Sequence, residues 1–127
     1  MRPAKFLESF TYAFEGLVYV IKSQRNMRVH FLLAVFLFIS GIVLEFTRLE
    51  LVCLVGIIAM VLFAEMINTA IEYTIDLISD SFHPLARIIK DISAGAVLLT
   101  AISAAICGYL LFSRHLDFSI IGGLSRL

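Results

Sequence analysis

The segment from Ala64 to Asp76, which reads A-E-M-I-N-T-A-I-E-Y-T-I-D, organises the rest of the chain. On a helix, which turns by about 100° per residue, its polar members fall on one face at spacings of three and four residues. They are Glu65, Asn68, Thr69, Glu72 and Asp76. Residues 51–64, which come directly before this face, carry no charge. Carboxylates at membrane depth are costly and usually functional, so this polar face is the first candidate site.

Composition places the chain among membrane proteins. Its 127 residues are enough for one domain, so residues 1–127 are taken as a single unit. The chain is 61% hydrophobic with a mean hydropathy of +0.99, well above the apolar share of an ordinary soluble domain. Ten basic and ten acidic residues cancel, so the sequence has no nucleic-acid-binding signature.

The apolar pattern predicts four helices. In residues 4–22, apolar side chains recur at three- and four-residue steps, as in an amphipathic helix that lies in the membrane interface or covers a transmembrane bundle. Three apolar segments then predict membrane crossings at 29–45, 50–78 and 84–113. Pro84 suits the first turn of the last helix, because its missing N–H would have no intrahelical partner there. The predicted fold is an all-α membrane protein with one interfacial helix and three transmembrane helices.

The distribution of basic residues predicts the orientation. Seven of them lie in the N-terminal segment or in the loop after the second crossing, and three lie on the other side. By the positive-inside rule, the N-terminus and the loop at 79–91 then face the cytoplasm. We therefore expect a multi-pass protein of the plasma membrane.

Depth along the second crossing divides the polar face. At about 1.5 Å per residue, Glu65 lies roughly 21 Å from the start of this helix, near the inner boundary of the hydrocarbon. Glu72 and Asp76 lie roughly 10 Å and 16 Å further on, in the cytoplasmic interface. Lys90 and Asp91 enter the same zone from the third crossing. Such a face is suited to hold a lipid head group at one end and a water-soluble phosphate donor at the other.

The residue types fit phosphoryl transfer, which needs an aligned nucleophile and cations on the phosphoryl oxygens. Mg²⁺ prefers carboxylate and phosphate oxygens, which makes Glu72 a candidate ligand. Glu65 suits proton transfer from a lipid hydroxyl, Asn68 can orient either group, and Lys90 can neutralise phosphate charge. Neither a P-loop nor a protein-kinase motif set occurs in the sequence.

Two runs form a specific combination. They are Glu65-Met-Ile-Asn-Thr-Ala-Ile-Glu72, followed by Asp76, and Lys90-Asp91-Ile-Ser-Ala-Gly-Ala-Val97. Together they resemble the small bacterial membrane lipid kinases, namely the prokaryotic diacylglycerol kinases and the related undecaprenol kinases of Gram-positive bacteria. The resemblance covers roughly residues 5–112. It implies a homotrimer with composite active sites between subunits on the cytoplasmic side, ATP as phosphoryl donor, Mg²⁺ as cofactor and a lipid alcohol as acceptor.

The resemblance also implies a role for individual residues. Glu65 matches the family's catalytic base and, with Ala94, its substrate position. Asn68 matches a polar position of the catalytic site, and Glu72 matches the metal-binding glutamate. The positions implied to contact the nucleotide are Lys5, Tyr12, Asp76, Ser81, Phe82, His83, Lys90 and Asp91.

Three of these residues have a plainer interpretation. His83 suits a loop or helix-capping residue, and Asp76 suits a charge at a helix end in water. Asn68 suits a hydrogen bond between membrane helices.

One position departs from the family pattern. The family usually has a second metal-binding glutamate just before the first crossing, in a run such as E-R-N. Here that position is Gln24, in Gln24-Arg25-Asn26. A glutamine offers a neutral oxygen whose attraction for Mg²⁺ is much weaker than that of a carboxylate, so Gln24 is a weakened second metal position.

The sequence leaves the acceptor lipid open between two classes. The runs Arg25-Asn26-Met27-Arg28 and His83-Pro84-Leu85-Ala86 look more like the Gram-positive branch, which favours undecaprenol, with diacylglycerol as the alternative. A non-enzymatic small membrane subunit is an alternative of another class. A transporter would place polar groups near the bilayer midplane and often shows repeat symmetry. Here the polar groups cluster at one end and no repeat is visible, which favours an interfacial enzyme.

Overall fold

The computed structural model describes the backbone of residues 3–78 and 83–124, and the side chains of 8–78 and 83–116. Four helices account for nearly all of the described residues. They are α1 (Pro3–Ser23), α2 (Arg25–Val43), α3 (Arg48–Ile78) and α4 (Pro84–Leu124). Helices α2 and α3, and α4 as far as Leu116, are long and apolar enough to cross a membrane. The predicted all-α membrane fold with three spanning helices is confirmed.

A single residue, Gln24, separates α1 from α2. Its backbone is extended, with φ −101° and ψ 123°, so the chain changes direction there. The Gln24 N–H still donates to Val20 O at 2.9 Å, and Arg28 Nη1 donates to Lys22 O at 2.8 Å. Met27, in the first turn of α2, is completely buried. Helix α2 thus begins earlier than the crossing predicted at 29–45, because the basic segment before residue 29 is already helical.

Helix α2 ends at Val43 because the chain reverses at Glu45, which has a left-handed backbone with φ 56°. The Phe46 N–H then donates to Gly41 O at 2.9 Å and closes the helix end. Gly41 is buried, and a Cβ atom there would lie 3.2 Å from side-chain atoms of both Phe46 and Leu54. The glycine therefore permits the close approach of α2 and α3 at this turn.

Helix α3 begins with a capping box. The Thr47 N–H donates to Glu50 Oε2 at 2.9 Å, and the Glu50 N–H donates to Thr47 Oγ1 at 3.3 Å. The other Glu50 oxygen lies 3.2 Å from His115 Nε2 and 3.9 Å from Arg114 Nη1, both on α4. Phe46 stacks on the His115 ring with centroids 4.5 Å apart. These contacts tie the α2–α3 turn to α4. We call Phe46, Thr47, Glu50, Arg114 and His115 the far-end cluster.

Helix α3 lies at the centre of the molecule and contacts each of the other three helices. Its buried side chains follow one face and are Leu54, Val61, Glu65 and Thr69. Most apolar side chains of the spanning helices are exposed on this single chain, where lipid or further protein chains can cover them. Helix α4 continues to Leu124, beyond the predicted end at Ser113, because no proline or glycine interrupts residues 114–121.

Candidate active site

Glu65 is the buried carboxylate of the site. It lies on α3 and is 3% exposed. In the described part of the chain, it is the one charged side chain that is buried. Its carboxyl group interacts with Asn26 and His30, both on α2. A buried charge is tolerated only with such partners. Sequence reasoning did not assign Asn26 and His30 to the site, although their spacing of four residues puts them on one face of α2.

Asn68 joins α3 to α4 directly beside Glu72. Its Nδ2 donates to Glu72 Oε1 at 3.0 Å, within α3. Its Oδ1 lies 2.6 Å from the hydroxyl oxygen of Ser93 on α4. The Ser93 hydroxyl also lies 2.9 Å from the backbone oxygen of Lys90, and Ser93 is 6% exposed. Asn68 therefore makes the predicted contact to a carboxylate and the interhelical hydrogen bond at once.

Thr69 shares the polar face of α3 but turns away from this network. Its hydroxyl donates to the backbone oxygen of Glu65 at 2.9 Å, and its side chain is buried. The hydroxyl is thus satisfied within its own helix, as is usual for threonine inside a membrane helix. Thr69 packs beside the site without contributing a donor to it.

Lys90 and Asp76 close the exposed end of the polar face. Lys90 Nζ donates to Asp76 Oδ1 at 2.5 Å, and the two side chains are 36% and 61% exposed. Asp91 instead approaches Arg87 at 3.7 Å on the outside of α4. The two neighbouring residues Lys90 and Asp91 therefore have different partners, one across to α3 and one along α4.

Gln24 contacts Tyr73, the residue that follows Glu72 on α3. Gln24 Nε2 donates to Tyr73 Oη at 3.3 Å. The Tyr73 phenol also interacts with Ser23 and Tyr19, and the two tyrosine rings meet edge to face with centroids 6.1 Å apart. The hydrogen bond to Tyr73 raises the pKa of the Tyr19 phenol. The junction of α1 and α2 is thus attached to α3 through tyrosine hydroxyls, and the metal role predicted for Gln24 stays a prediction.

His83 caps the start of α4. The Leu85 N–H donates to His83 Nδ1 at 3.2 Å, and the Ala86 N–H donates to His83 O at 3.0 Å. The interpretation of His83 as a capping residue is confirmed, and its contact to the nucleotide stays a prediction. Because Nδ1 accepts this hydrogen bond, the neutral ring carries its proton on Nε2.

Five further predicted positions make no side-chain hydrogen bond with the site residues described above or lie outside the described residues. Tyr12 is exposed on α1, and Ala94 is exposed on α4 next to Ser93. The Lys5 side chain, Ser81 and Phe82 lie outside the described residues. The roles that the resemblance implies for all five stay predictions.

The described residues fit a magnesium ion that arrives with its nucleotide. Within residues 8–78 and 83–116, no three His, Cys, Asp or Glu side chains form a group that could hold a metal ion. Mg²⁺ keeps several waters and is commonly bound by one or two carboxylates together with substrate phosphates. Glu72 would supply such a carboxylate, because Asn68 holds its Oε1 and leaves its other oxygen to coordinate.

The spanning helices and the polar residues between them indicate the family. The chain is a multi-pass helical membrane protein, and its carboxylates, amide and lysine gather where α3 ends and α4 begins. The sequence profile of the family described as prokaryotic diacylglycerol kinase matches residues 11–112. The chain belongs to this family and is a membrane lipid kinase.

The similar proteins fall into two groups, one named undecaprenol kinase and the other diacylglycerol kinase. The chain is 37% identical over 108 residues to undecaprenol kinase from Bacillus subtilis (strain 168), covering 85% of this chain and 88% of that protein. It is 40% identical over 103 residues to diacylglycerol kinase from Synechocystis sp., covering 80% of this chain and 59% of that protein. It is 30% identical over 101 residues to diacylglycerol kinase from Pseudomonas aeruginosa, covering 78% of this chain and 82% of that protein. Sequence identity alone therefore does not select the lipid.

Proposed function

We propose that this protein transfers the γ-phosphoryl group of MgATP to the hydroxyl of a membrane lipid alcohol at the cytoplasmic interface, with undecaprenol as the acceptor. The observation that carries this proposal is a row of polar side chains that leads from the buried Glu65 to the exposed pair of Asp76 and Lys90. We call this row, which consists of Glu65, Asn68, Glu72, Asp76 and Lys90, the polar line. A lipid hydroxyl can reach only the membrane end of this line, and ATP can reach only its aqueous end. The line therefore brings together two substrates that come from different phases.

The chemistry divides along this line. Glu65 accepts the proton of the lipid hydroxyl as the hydroxyl oxygen bonds to the γ-phosphorus of ATP and the bond from that phosphorus to the β–γ bridging oxygen breaks, so that ADP leaves. Glu65 is buried, so little water competes for its carboxylate. Glu72 binds the Mg²⁺ that accompanies the nucleotide. Lys90 neutralises charge on the phosphates, and it is already held towards α3 by Asp76. Mg²⁺ supplies charge neutralisation of the phosphoryl oxygens when it is bound.

Two observations support undecaprenol as the acceptor. The relative named undecaprenol kinase is matched over 88% of its length, whereas the Synechocystis diacylglycerol kinase is matched over 59%. The runs that start at Arg25 and His83 resemble the Gram-positive branch. Diacylglycerol is the second candidate, and the 40% identity to the Synechocystis enzyme favours it.

We also propose that the protein works as a homotrimer with sites completed between subunits. Support comes from the extensive apolar surface that the spanning helices expose on a single chain. The mass of the protein in nanodiscs, measured by native mass spectrometry, tests this directly, since a monomer would contradict it.

The test of the function is a side-by-side assay with radiolabelled ATP. Purified protein is mixed with undecaprenol or with diacylglycerol in the same detergent, and the labelled lipid is separated and counted. We expect undecaprenyl phosphate to form at the higher rate, and Mg²⁺ removal with EDTA to stop it. Faster labelling of diacylglycerol would select the second candidate. Labelling of neither lipid by folded protein would refute the proposal.

A further inference from the structure

Ser93 is a buried hydroxyl in the site to which the family resemblance assigns no role. Its oxygen lies 2.6 Å from Asn68 Oδ1 and 2.9 Å from Lys90 O, and the side chain is 6% exposed. A hydroxyl carries one hydrogen, so these two carbonyl oxygens compete for it. The shorter contact, to Asn68, joins α4 to α3 at the point where the polar line passes from buried to exposed.

The hydrogen bonds of Asn68 can be satisfied in one orientation of its amide. An ionised Glu72 carboxylate only accepts hydrogen bonds, so the Asn68 NH₂ group must face it. The amide oxygen then points to α4, where it requires a donor. The Ser93 hydroxyl supplies that donor. Without the Ser93 hydroxyl, the contact to Glu72 alone would hold the Asn68 amide.

We propose that Ser93 is a positioning residue, whose hydroxyl locks the Asn68 amide so that Nδ2 holds Glu72 Oε1 and sets the Glu72 carboxylate for the metal. The proposal rests on the proposed function through the role of Glu72 as a Mg²⁺ ligand. It extends that function, because it adds α4 to the elements that fix the metal position. Residues that orient a ligand in this way commonly change metal affinity by about 10–100-fold when they are removed.

Ser93→Ala is the variant that tests this role. It leaves the half-buried Asn68 oxygen without its donor, so the Asn68 side chain is no longer held across to α4 and Glu72 loses its fixed partner. We expect the Mg²⁺ concentration for half-maximal rate to rise about tenfold, with kcat at saturating Mg²⁺ within about twofold of the original. Ser93→Thr keeps the hydroxyl and should restore the Mg²⁺ requirement. Ser103→Ala is the matched control, because the Ser103 hydroxyl bonds only the Leu99 backbone oxygen of its own helix.

Two measurements that need no turnover separate this proposal from the proposed function. The sequence contains two asparagines, Asn26 and Asn68, so selective ¹⁵N-asparagine labelling gives two side-chain amide signals, which Asn26→Gln assigns. We expect Ser93→Ala, but not Ser103→Ala, to shift the Asn68 pair. Mn²⁺ binding in the presence of ADP, followed by electron paramagnetic resonance, should weaken about tenfold in the same variant.

The outcomes are distinct. An unshifted Asn68 signal in Ser93→Ala overturns the proposal, whatever the activity. A shifted signal with unchanged Mn²⁺ binding also overturns it, because the hydroxyl would then orient the amide without affecting the metal. Absence of lipid phosphorylation by the unaltered protein would refute the proposed function alone. Rescue of Mn²⁺ binding by Ser93→Thr excludes a purely packing role.

Discussion

Lys90 on α4 donates a hydrogen bond to Asp76 on α3 and joins the two helices where the polar line meets water. Both side chains are substantially exposed, and exposed ion pairs contribute about 0–1 kcal/mol to stability. The pair therefore matters more for where it holds the lysine ammonium than for holding the helices together. Asp76 is exposed, as expected for a charge at a helix end, but its partner lies across the site.

We predict that Lys90→Met weakens ATP binding and leaves the fold intact. The variant removes a cation that would face the phosphates but keeps the length of the side chain. We expect the KM for ATP to rise about tenfold, equivalent to the loss of about 1.4 kcal/mol of binding. The thermal unfolding midpoint should change little, because the ion pair is exposed.

The control for Lys90→Met is Arg114→Met, which removes an exposed cation from the other end of α4. It should leave the KM for ATP unchanged. If both variants raised this KM equally, the effect would come from overall charge, and the assignment of Lys90 to the phosphates would be wrong.

We predict that Glu65→Gln abolishes turnover and preserves assembly. The change removes a general base and almost no volume, and the amide can still bond to partners on α2. Loss of a general base lowers kcat by about 10²–10⁴-fold. The rate of lipid phosphorylation and the elution volume in detergent are the two measurements. Glu15→Gln, on the exposed surface of α1, is the matched carboxylate control, and near-normal activity of Glu65→Gln would show that another group takes the proton.

We predict that Gln24→Glu lowers the Mg²⁺ concentration needed for half-maximal rate. The new carboxylate adds the charge that the family usually has at this position. Tyr73 can adapt, because its hydroxyl accepts from Gln24 now and can donate to a carboxylate instead. Rates measured across a Mg²⁺ titration give the result. An unchanged or higher Mg²⁺ requirement would mean that this position lies away from the metal.

The sequence was enough to predict the helices and one face of the site. The spacing of Glu65, Asn68 and Glu72 along α3 follows from helical geometry alone, and their contacts within α3 agree with it. Uncharged segments predicted the three spanning helices. Local signals of this kind need no knowledge of how the helices pack.

Contacts between helices were not predictable in the same way. The hydrogen bond from Ser93 to Asn68, and the approach of Asn26 and His30 to Glu65, depend on the rotation of each helix about its axis. Small changes in that rotation would place the same residues in lipid. The end of α2 at Val43 also involves such contacts, since Glu45 has a left-handed backbone and Phe46 and Leu54 pack closely on Gly41. The capping box at Thr47 is readable from its T-x-x-E pattern, which lies between the crossings predicted at 29–45 and 50–78.

The far-end cluster gives the last prediction, which concerns stability alone. Thr47→Ala removes the side-chain cap of α3 and should cost about 1 kcal/mol. His115→Ala removes both the ring that stacks on Phe46 and one of the partners of the Glu50 carboxylate. We expect both variants to lower the thermal unfolding midpoint in detergent. Ser113→Ala, whose hydroxyl bonds only the Leu110 backbone oxygen, should leave the midpoint unchanged.

Activity distinguishes this cluster from the site. At temperatures well below unfolding, the KM for ATP and the Mg²⁺ requirement of Thr47→Ala and His115→Ala should equal those of the unaltered protein. The physical reason is distance along α3, since about 18 residues at about 1.5 Å each separate Thr47 from Glu65 and the polar line begins only there. A changed Mg²⁺ requirement without loss of stability would mean that the far-end cluster is coupled to the metal through α3 or α4. The prediction that this cluster affects stability alone would then be wrong.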